Sequence, residues 1–586
     1  MKLTKGLLIF GLAAATASFA TKYEAEEATL EGDAAAKGTY VDMNEGNIVF
    51  PNVSVETTGK YTITVHCAGA YGYKENFVKV NDNTAGKIVN EEGNDFIDAS
   101  VTATLNAGKN TITIAKSWGW IKVDYIEVST FVPTPFAIGK TPVTPNATAE
   151  AVKLYNFLVN NFGKKTISGV MTGDMDKFTV GNDFKTHPDV HAVYTASGKY
   201  PALVGVDFLF ATGPKATDSW YMGYTDKAVA LATNLWNQGG IPAFTWHWKD
   251  PADSVDAFYA NQSSAGSGKD YTTFDFTRAF SSGTTWDTTS AAFKGIVRDI
   301  DYIADIFLKL QDAKVAAIFR PLHEAGGKWF WWSTHEGEQF AALYRLVYER
   351  MVFKKGVRNL IWVFNPENST PTTWNPGITY YDVLSIDIYN PANDYSSNAG
   401  AFDGFKEKWG VSKVLALSEN GPIPDVNNMV LDQAIWSWWM PWYESWSGGY
   451  VSQTESSVWQ SNMADERIIT FDEMPGWDKY NEENQGTAET KLATETSTYT
   501  AAIRPFAKVS ASKLSIMGKN VMLTTATTGN VSVDVFAMNG RRIATLFQGN
   551  LFAGTYAFSL ADMPKGNYIV RVKEAGLTTT QPVIVK

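Results

Sequence analysis

Cysteine is almost missing from these 586 residues: Cys67 stands alone, which excludes a disulfide framework and a zinc–cysteine site. Histidine is scarce, with 6 in the chain, and no His-Glu-x-x-His helix occurs, so a metallohydrolase of that kind is not indicated. No Gly-x-Ser-x-Gly follows a strand and opens a helix, which removes the serine-hydrolase elbow. Positive charge is in deficit. The net charge of -11 and pI near 5.2 leave no clustered cationic footprint, which excludes nucleic acid as a partner. Long apolar runs are also lacking. The one run present, Gly6 to Phe19, follows Lys2 and Lys5 and closes on Ser18-Phe19-Ala20. It is shorter than the roughly 18 residues of a membrane span and reads as a signal peptide over 1–20. The protein is therefore expected to be secreted.

What the chain has in excess is aromatic: 20 Trp and 26 Tyr, many of them clustered, as in Trp329-Phe330-Trp331-Trp332 and from Trp436 to Trp446. Flat apolar faces with a polar edge suit sugar rings, although the same residues serve equally well as core. The length calls for several units. Residues 21–130 carry short alternating runs such as Tyr61-Thr-Ile-Thr-Val65, separated by Gly, Asn and Asp turns, which predicts a β-sandwich. A Pro-bearing stretch over 131–146 reads as a linker.

From 147 to 478 the pattern changes. Apolar runs recur at Thr166–Gly173, Pro201–Phe208, Ile241–Trp248, Ala316–Glu324, Leu360–Pro366, Val383–Asn390, Val414–Gly421 and Ile435–Trp442. Helical faces lie between several of them, for example Phe340, Leu343, Tyr344, Val347 and Met351. Eight strands alternating with helices predict a (β/α)8 TIM barrel, and no Gly-rich fingerprint supports an open doubly wound sheet. A Glu- and Thr-rich linker over 479–505 and a small C-terminal β-sandwich over 506–586 complete a multidomain chain.

Barrel chemistry stands where strands end, so polar residues closing apolar runs are the candidates. Glu324 closes the fourth run and Glu419 the seventh, which face each other across the barrel. A pair of carboxyl groups is what glycosidic-bond cleavage requires, and their separation decides retention or inversion. Arg320, His323 and Trp329 surround Glu324 with charge and an apolar wall, conditions that separate two carboxyl pKa values. His247 also ends a strand and is expected to bind a sugar hydroxyl, while Asp387 and Tyr389 alternate at the sixth strand end, with Tyr389 within reach of Glu419.

Together Trp246-His247, Arg320-Pro-Leu-His-Glu324 with Trp329-Phe-Trp-Trp332, Ile386-Asp-Ile-Tyr389 and Ser418-Glu-Asn-Gly421 resemble glycoside hydrolase family 26, over about Ala147 to Trp477. The resemblance implies retention, no catalytic cofactor, and mostly endo-acting cleavage of plant β-1,4-mannan. It implies Glu324 as acid/base, Glu419 as nucleophile, and His247, His323, Trp329 and Tyr389 around the cleavage subsite, with Trp442 as the tryptophan of strand eight. A β-glucanase or xylanase on the same scaffold, or a non-catalytic surface glycan-binding protein, are the alternatives. Tyr23-Glu-Ala-Glu26 and Trp118-Gly-Trp-Ile-Lys-Val-Asp-Tyr-Ile-Glu-Val128 resemble a carbohydrate-binding module of family 35, or its relative family 6. That implies a structural calcium on Glu24, Glu26 and Asp124, where a plain surface charge cluster is the alternative, and Trp118 as a sugar-stacking residue. The last 80 or so residues look like a C-terminal sorting domain of the type IX secretion system, or else a plain accessory module. The sorting reading implies contact with export machinery and attachment at the cell surface. A monomer is expected.

Overall fold

The computed structural model describes residues 20–90, 93–445, 449–480 and, in segments, 513–585. The expected signal peptide up to Phe19, the expected linker from residue 481, and Trp446 lie outside the described residues. Among the described residues no helix is long and apolar enough to cross a membrane.

Residues 21–130 form two antiparallel sheets. Alternation places Ile63, Val65, Ile112, Ile114 and Ile126 in a shared dry interior, while their neighbours face outward. Cys67 is buried in this core, and burial pushes its thiol up to about 11, so it packs as a small apolar group.

The barrel contains all eight expected strands: Thr166–Met171, Leu203–Asp207, Ile241–Thr245, Ala317–Arg320, Leu360–Phe364, Val383–Ile388, Val414–Asn420 and Trp438–Trp439. They pair in parallel in that order, and strand eight returns to strand one. Strand seven meets strand eight through Ser437 N donating to Leu415 O at 2.8 Å and a bridge between Asn420 and Pro441, which closes the sheet. Nearly every strand residue is buried, as expected of strands covered on both faces. The expected face of Phe340, Leu343, Tyr344 and Val347 lies on the helix Gly337–Glu349 and is buried.

Two strand ends differ from expectation. The fourth strand stops at Arg320, because Leu322 and Glu324 adopt left-handed φ of 50° and 53° that no strand accommodates. The eighth has two residues, and the short strand Ile468–Ile469 pairs with strand one beside it. The 131–146 stretch has no regular structure, yet it is strapped to the barrel: Phe136 packs edge-on against Phe162 at 4.7 Å, and Val143 N donates to Asp382 at 2.7 Å. Lys60 of the first sandwich pairs with Asp403 of the barrel, and the two form one compact unit.

The C-terminal domain is a separate unit, with a three-stranded and a four-stranded sheet over a core that includes Val521, Leu523, Val533, Val570 and Val572.

Candidate active site

Most of the clustered tryptophans proved to be core: Trp331, Trp332, Trp436, Trp438 and Trp439 are buried. Their N–H groups still shape the site, since Trp332 Nε1 donates to His323 O at 2.9 Å and pins the loop carrying Glu324.

At the C-terminal mouth of the barrel the expected residues converge. One oxygen each of Glu324, Asp387 and Glu419 lie within 4.8 Å of one another. Arg320, 3 % exposed, is their counter-ion. It donates to Asp387 at 2.7 Å, to Thr245 at 3.1 Å, to Asn365 at 3.1 Å, and to Glu419 Oε1. Burial works against its charge, but Asp387 and Glu419 outweigh it and raise the guanidinium pKa. The second oxygen of Glu419 accepts from Tyr389 Oη at 2.5 Å. The Tyr389 ring is exposed at the mouth, but its hydroxyl points inward, and desolvation there, then the Glu419 charge, hold it well above its ordinary range, so it remains a donor.

Glu324 reaches the mouth from the loop. Its backbone N–H donates to Asn365 Oδ1 at 2.7 Å, and its Oε2 accepts from Trp329 Nε1 at 2.5 Å. A Cβ on Gly327 would lie 2.3 Å from the Trp329 ring, so only glycine lets that ring fold back over the loop. Burial, followed by the charges of Glu419, Asp387 and Glu367, drives the Glu324 carboxyl well above the usual range, partly offset by the Trp329 bond. Glu419 is therefore paired with Arg320 and Tyr389 while Glu324 holds its proton, the division of labour an acid and a nucleophile need. An oxygen–oxygen gap within 4.8 Å lies near the roughly 5–5.5 Å separation of retaining enzymes, not the 6.5–9.5 Å of inverting ones.

His247 and His323 form a relay. Asp207 Oδ2 lies 2.5 Å from His247 Nδ1 and accepts a hydrogen bond from its N–H, which leaves His247 Nε2 to accept from His323 Nε2 at 3.3 Å. Burial, then Arg320 and His247, depress the His323 pKa well below normal, so this ring is neutral. Both ring nitrogens of His247 thus have protein partners, and its expected hydrogen bond to a sugar hydroxyl is not pre-formed. Trp442 is brought to 6.0 Å from the His247 ring, ring centre to ring centre. Both line a cavity of about 560 Å³ together with Asp207, Tyr259 and Tyr443. Sequence reasoning missed Asp207, Asn365, Glu367 and Tyr259. The first two end apolar runs and the strand-end rule reaches them, whereas Glu367 and Tyr259 lie in loops with no pattern.

The first sandwich carries the other expected residues. Glu24, Glu26 and Asp124 each present an oxygen within 4.8 Å of the others, and Glu26 Oε2 is buried with no hydrogen-bond partner. Trp118 is half exposed, edge-on to Tyr73 at 5.6 Å.

The family model for glycosyl hydrolase family 26 matches residues 143–473. The chain belongs to glycosyl hydrolase family 26. As a family 26 protein it is a retaining glycoside hydrolase, and the model for carbohydrate binding module family 35 matches residues 21–131 of the same chain. Among its relatives, mannan endo-1,4-beta-mannosidase B of Piromyces sp is 32% identical over 507 residues, 82% of either chain. Mannan endo-1,4-beta-mannosidase of Thermothelomyces thermophilus is 33% identical over 484 residues, covering 79% of this chain and 92% of its own. The crystal structure of the Podospora anserina GH26-CBM35 beta-(1,4)-mannanase superposes with a TM-score of 0.56 at 28% identity, over 78% of this chain and 99% of its own.

Proposed function

We propose that this family 26 hydrolase is a secreted endo-β-1,4-mannanase in which Glu419 is the nucleophile and Glu324 the acid/base. The observation that carries the reading is the carboxyl pair within 4.8 Å, one member bonded to Arg320 and Tyr389 and the other held protonated by burial. The mannan specificity rests on the family 26 relatives, which are named for that substrate.

Chemically, the Glu419 carboxylate attacks the anomeric carbon while Glu324 gives its proton to the leaving glycosidic oxygen. The products of this step are a shortened chain and a glycosyl ester on Glu419. Glu324, now ionised and stabilised by Trp329 N–H, takes a proton from water; the resulting hydroxide displaces Glu419 and restores the original β configuration. Tyr389 and Arg320 receive the charge returning to Glu419 without reorganising, which is where preorganised donors are most effective. His323 and Trp442 bound the sugar next to this bond, with His247 fixing the His323 ring.

Three further roles belong to the same reading. Trp118 with Tyr73 offers an exposed ring pair for a polysaccharide chain. Glu24, Glu26 and Asp124 would hold a calcium ion that gives the buried, unpartnered Glu26 oxygen a ligand; hard oxygens fit that ion. Lys2 and Lys5 before the Gly6–Phe19 run support export, and the C-terminal two-sheet domain is the candidate for sorting to, and attachment at, the cell surface.

Reducing-sugar release from β-mannan, lichenan and xylan by the wild type and by Glu419→Ala tests the reading. Mannan should be cleaved fastest and the variant should be inactive. Equal activity of the variant would discard the nucleophile, and a faster rate on lichenan or xylan would move the substrate.

A further inference from the structure

Behind the cavity that holds Trp442 and Tyr443 lies a carboxylate that touches no reacting group. Asp189, fully buried in the first turn of the helix Pro188–Ser197, accepts four hydrogen bonds from two loops. Its Oδ1 accepts from the backbone N–H groups of Glu444 at 2.9 Å and Ser445 at 2.7 Å, both beyond strand eight. Its Oδ2 accepts from Gly173 N at 2.8 Å, beyond strand one, and from Ser445 Oγ at 3.1 Å. Among the described residues no lysine or arginine is paired with it. The nearby His187 is neutral, because burial lowers its pKa more than Asp189 raises it. A buried carboxylate is costly unless its oxygens are hydrogen-bonded, and the two loops supply all four of the bonds that Asp189 accepts.

The two loops also interlock. A Cβ on Gly173 would meet the Tyr443 ring and Ser445 Oγ at 2.9 Å, so the ring lies directly on the Gly173 backbone. Tyr443 in turn packs on Trp442 at 5.1 Å, and Trp442 stands 6.0 Å from His247. Gly173, Tyr443 and Trp442 all line the 560 Å³ cavity, whereas Asp189 does not reach it.

We infer that Asp189 is a positioning residue for substrate binding: it clasps the loops after strands one and eight so that Trp442 and Tyr443 form the sugar-facing wall. The inference rests on the mannanase reading above. Asp189→Asn replaces one acceptor oxygen with an amide that faces donors, which opens the clasp at unchanged size.

The expected result is a KM for mannan raised about tenfold, with kcat within about threefold, as for lost binding energy common to ground and transition states. In an inactive Glu419→Ala background, calorimetric binding of mannohexaose should weaken by about the same factor. Adding Asp189→Asn to Trp442→Ala should change that affinity less than about twofold, since the residue acts through the ring. A general loss of structural integrity would instead add to the Trp442→Ala loss, and additive losses or an unchanged Kd overturn the inference. Should Asp189→Asn fail to fold, Gly173→Ala pushes the Tyr443 ring from the other side and must give the same KM rise. Hydrogen exchange reads the clasp without ligand: the Glu444 and Ser445 amides should exchange faster in Asp189→Asn, and unchanged protection overturns it. Failure of the Glu419→Ala parent to bind mannohexaose would sink the substrate assignment alone and leave the exchange result to judge the clasp.

Discussion

Tyr389 Oη donates to Glu419 Oε2 at 2.5 Å, on the oxygen that Arg320 leaves free. The hydroxyl comes from strand six and the carboxylate from strand seven, so neighbouring strand ends hold the nucleophile from one side while strand four holds it from the other. Removing the hydroxyl with Tyr389→Phe costs one charge-assisted bond, about 1.5–3 kcal/mol, hence a kcat lower by roughly 10- to 100-fold. Initial rates on mannan check this; an unaltered kcat would mean that the bond is idle during the reaction.

The acid is expected to set the alkaline limb of the rate profile. Glu324 must carry a proton in the first step, so kcat/KM falls as pH rises through its elevated pKa. The Trp329 N–H favours the ionised form. Trp329→Phe removes it, the pKa climbs further, and the limb should move to higher pH. A limb moving to lower pH in the variant would contradict the assignment.

Retention is visible in the first product. Proton NMR during the first minutes of hydrolysis should show the new reducing end as the β anomer, with the α form growing in only by mutarotation. An initial α signal would be incompatible with carboxyl groups this close.

Arg320 is the counter-ion of two buried acids, and its replacement is expected to be structural as well as catalytic. Arg320→Met leaves Asp387 and Glu419 without their cation, a loss of about 3–5 kcal/mol, and denaturant titration of the barrel should show a lowered midpoint. An unshifted midpoint would indicate that the site tolerates the bare charges.

For the N-terminal sandwich, millimolar calcium should raise the melting temperature and Glu26→Gln should cancel that rise. Ligand at 100 times its Kd stabilises by about 2.7 kcal/mol. Identical melting with calcium and with EDTA in the wild type would reduce the three acids to a surface cluster.

Period and punctuation made the architecture readable from the chain. Strand alternation marks both sandwiches, and runs ending in polar residues mark all eight barrel strands, because a strand covered on both faces must be continuously apolar. The same rule exposed Glu324, Glu419, His247 and Tyr389, and it also reaches Asp207 and Asn365, which stand at strand ends in plain view. Trp331 and Trp332 stayed undecided in the sequence for a physical reason: an indole suits a sugar and a dry core equally well, and only packing separates the two uses.

What the linear order of residues determined by itself is which groups stand at strand mouths, because side-chain period and barrel direction are local properties. Tertiary structure alone decided how those groups are charged and aimed. The left-handed turn at Glu324, the return of Trp329 over Gly327, the Asp207–His247–His323 relay and the Asp189 clasp all join residues distant in sequence or bend the chain against its local preference. Burial and the charges of neighbours set a carboxyl's proton affinity, and neither is a property of the residue until the chain has closed around it.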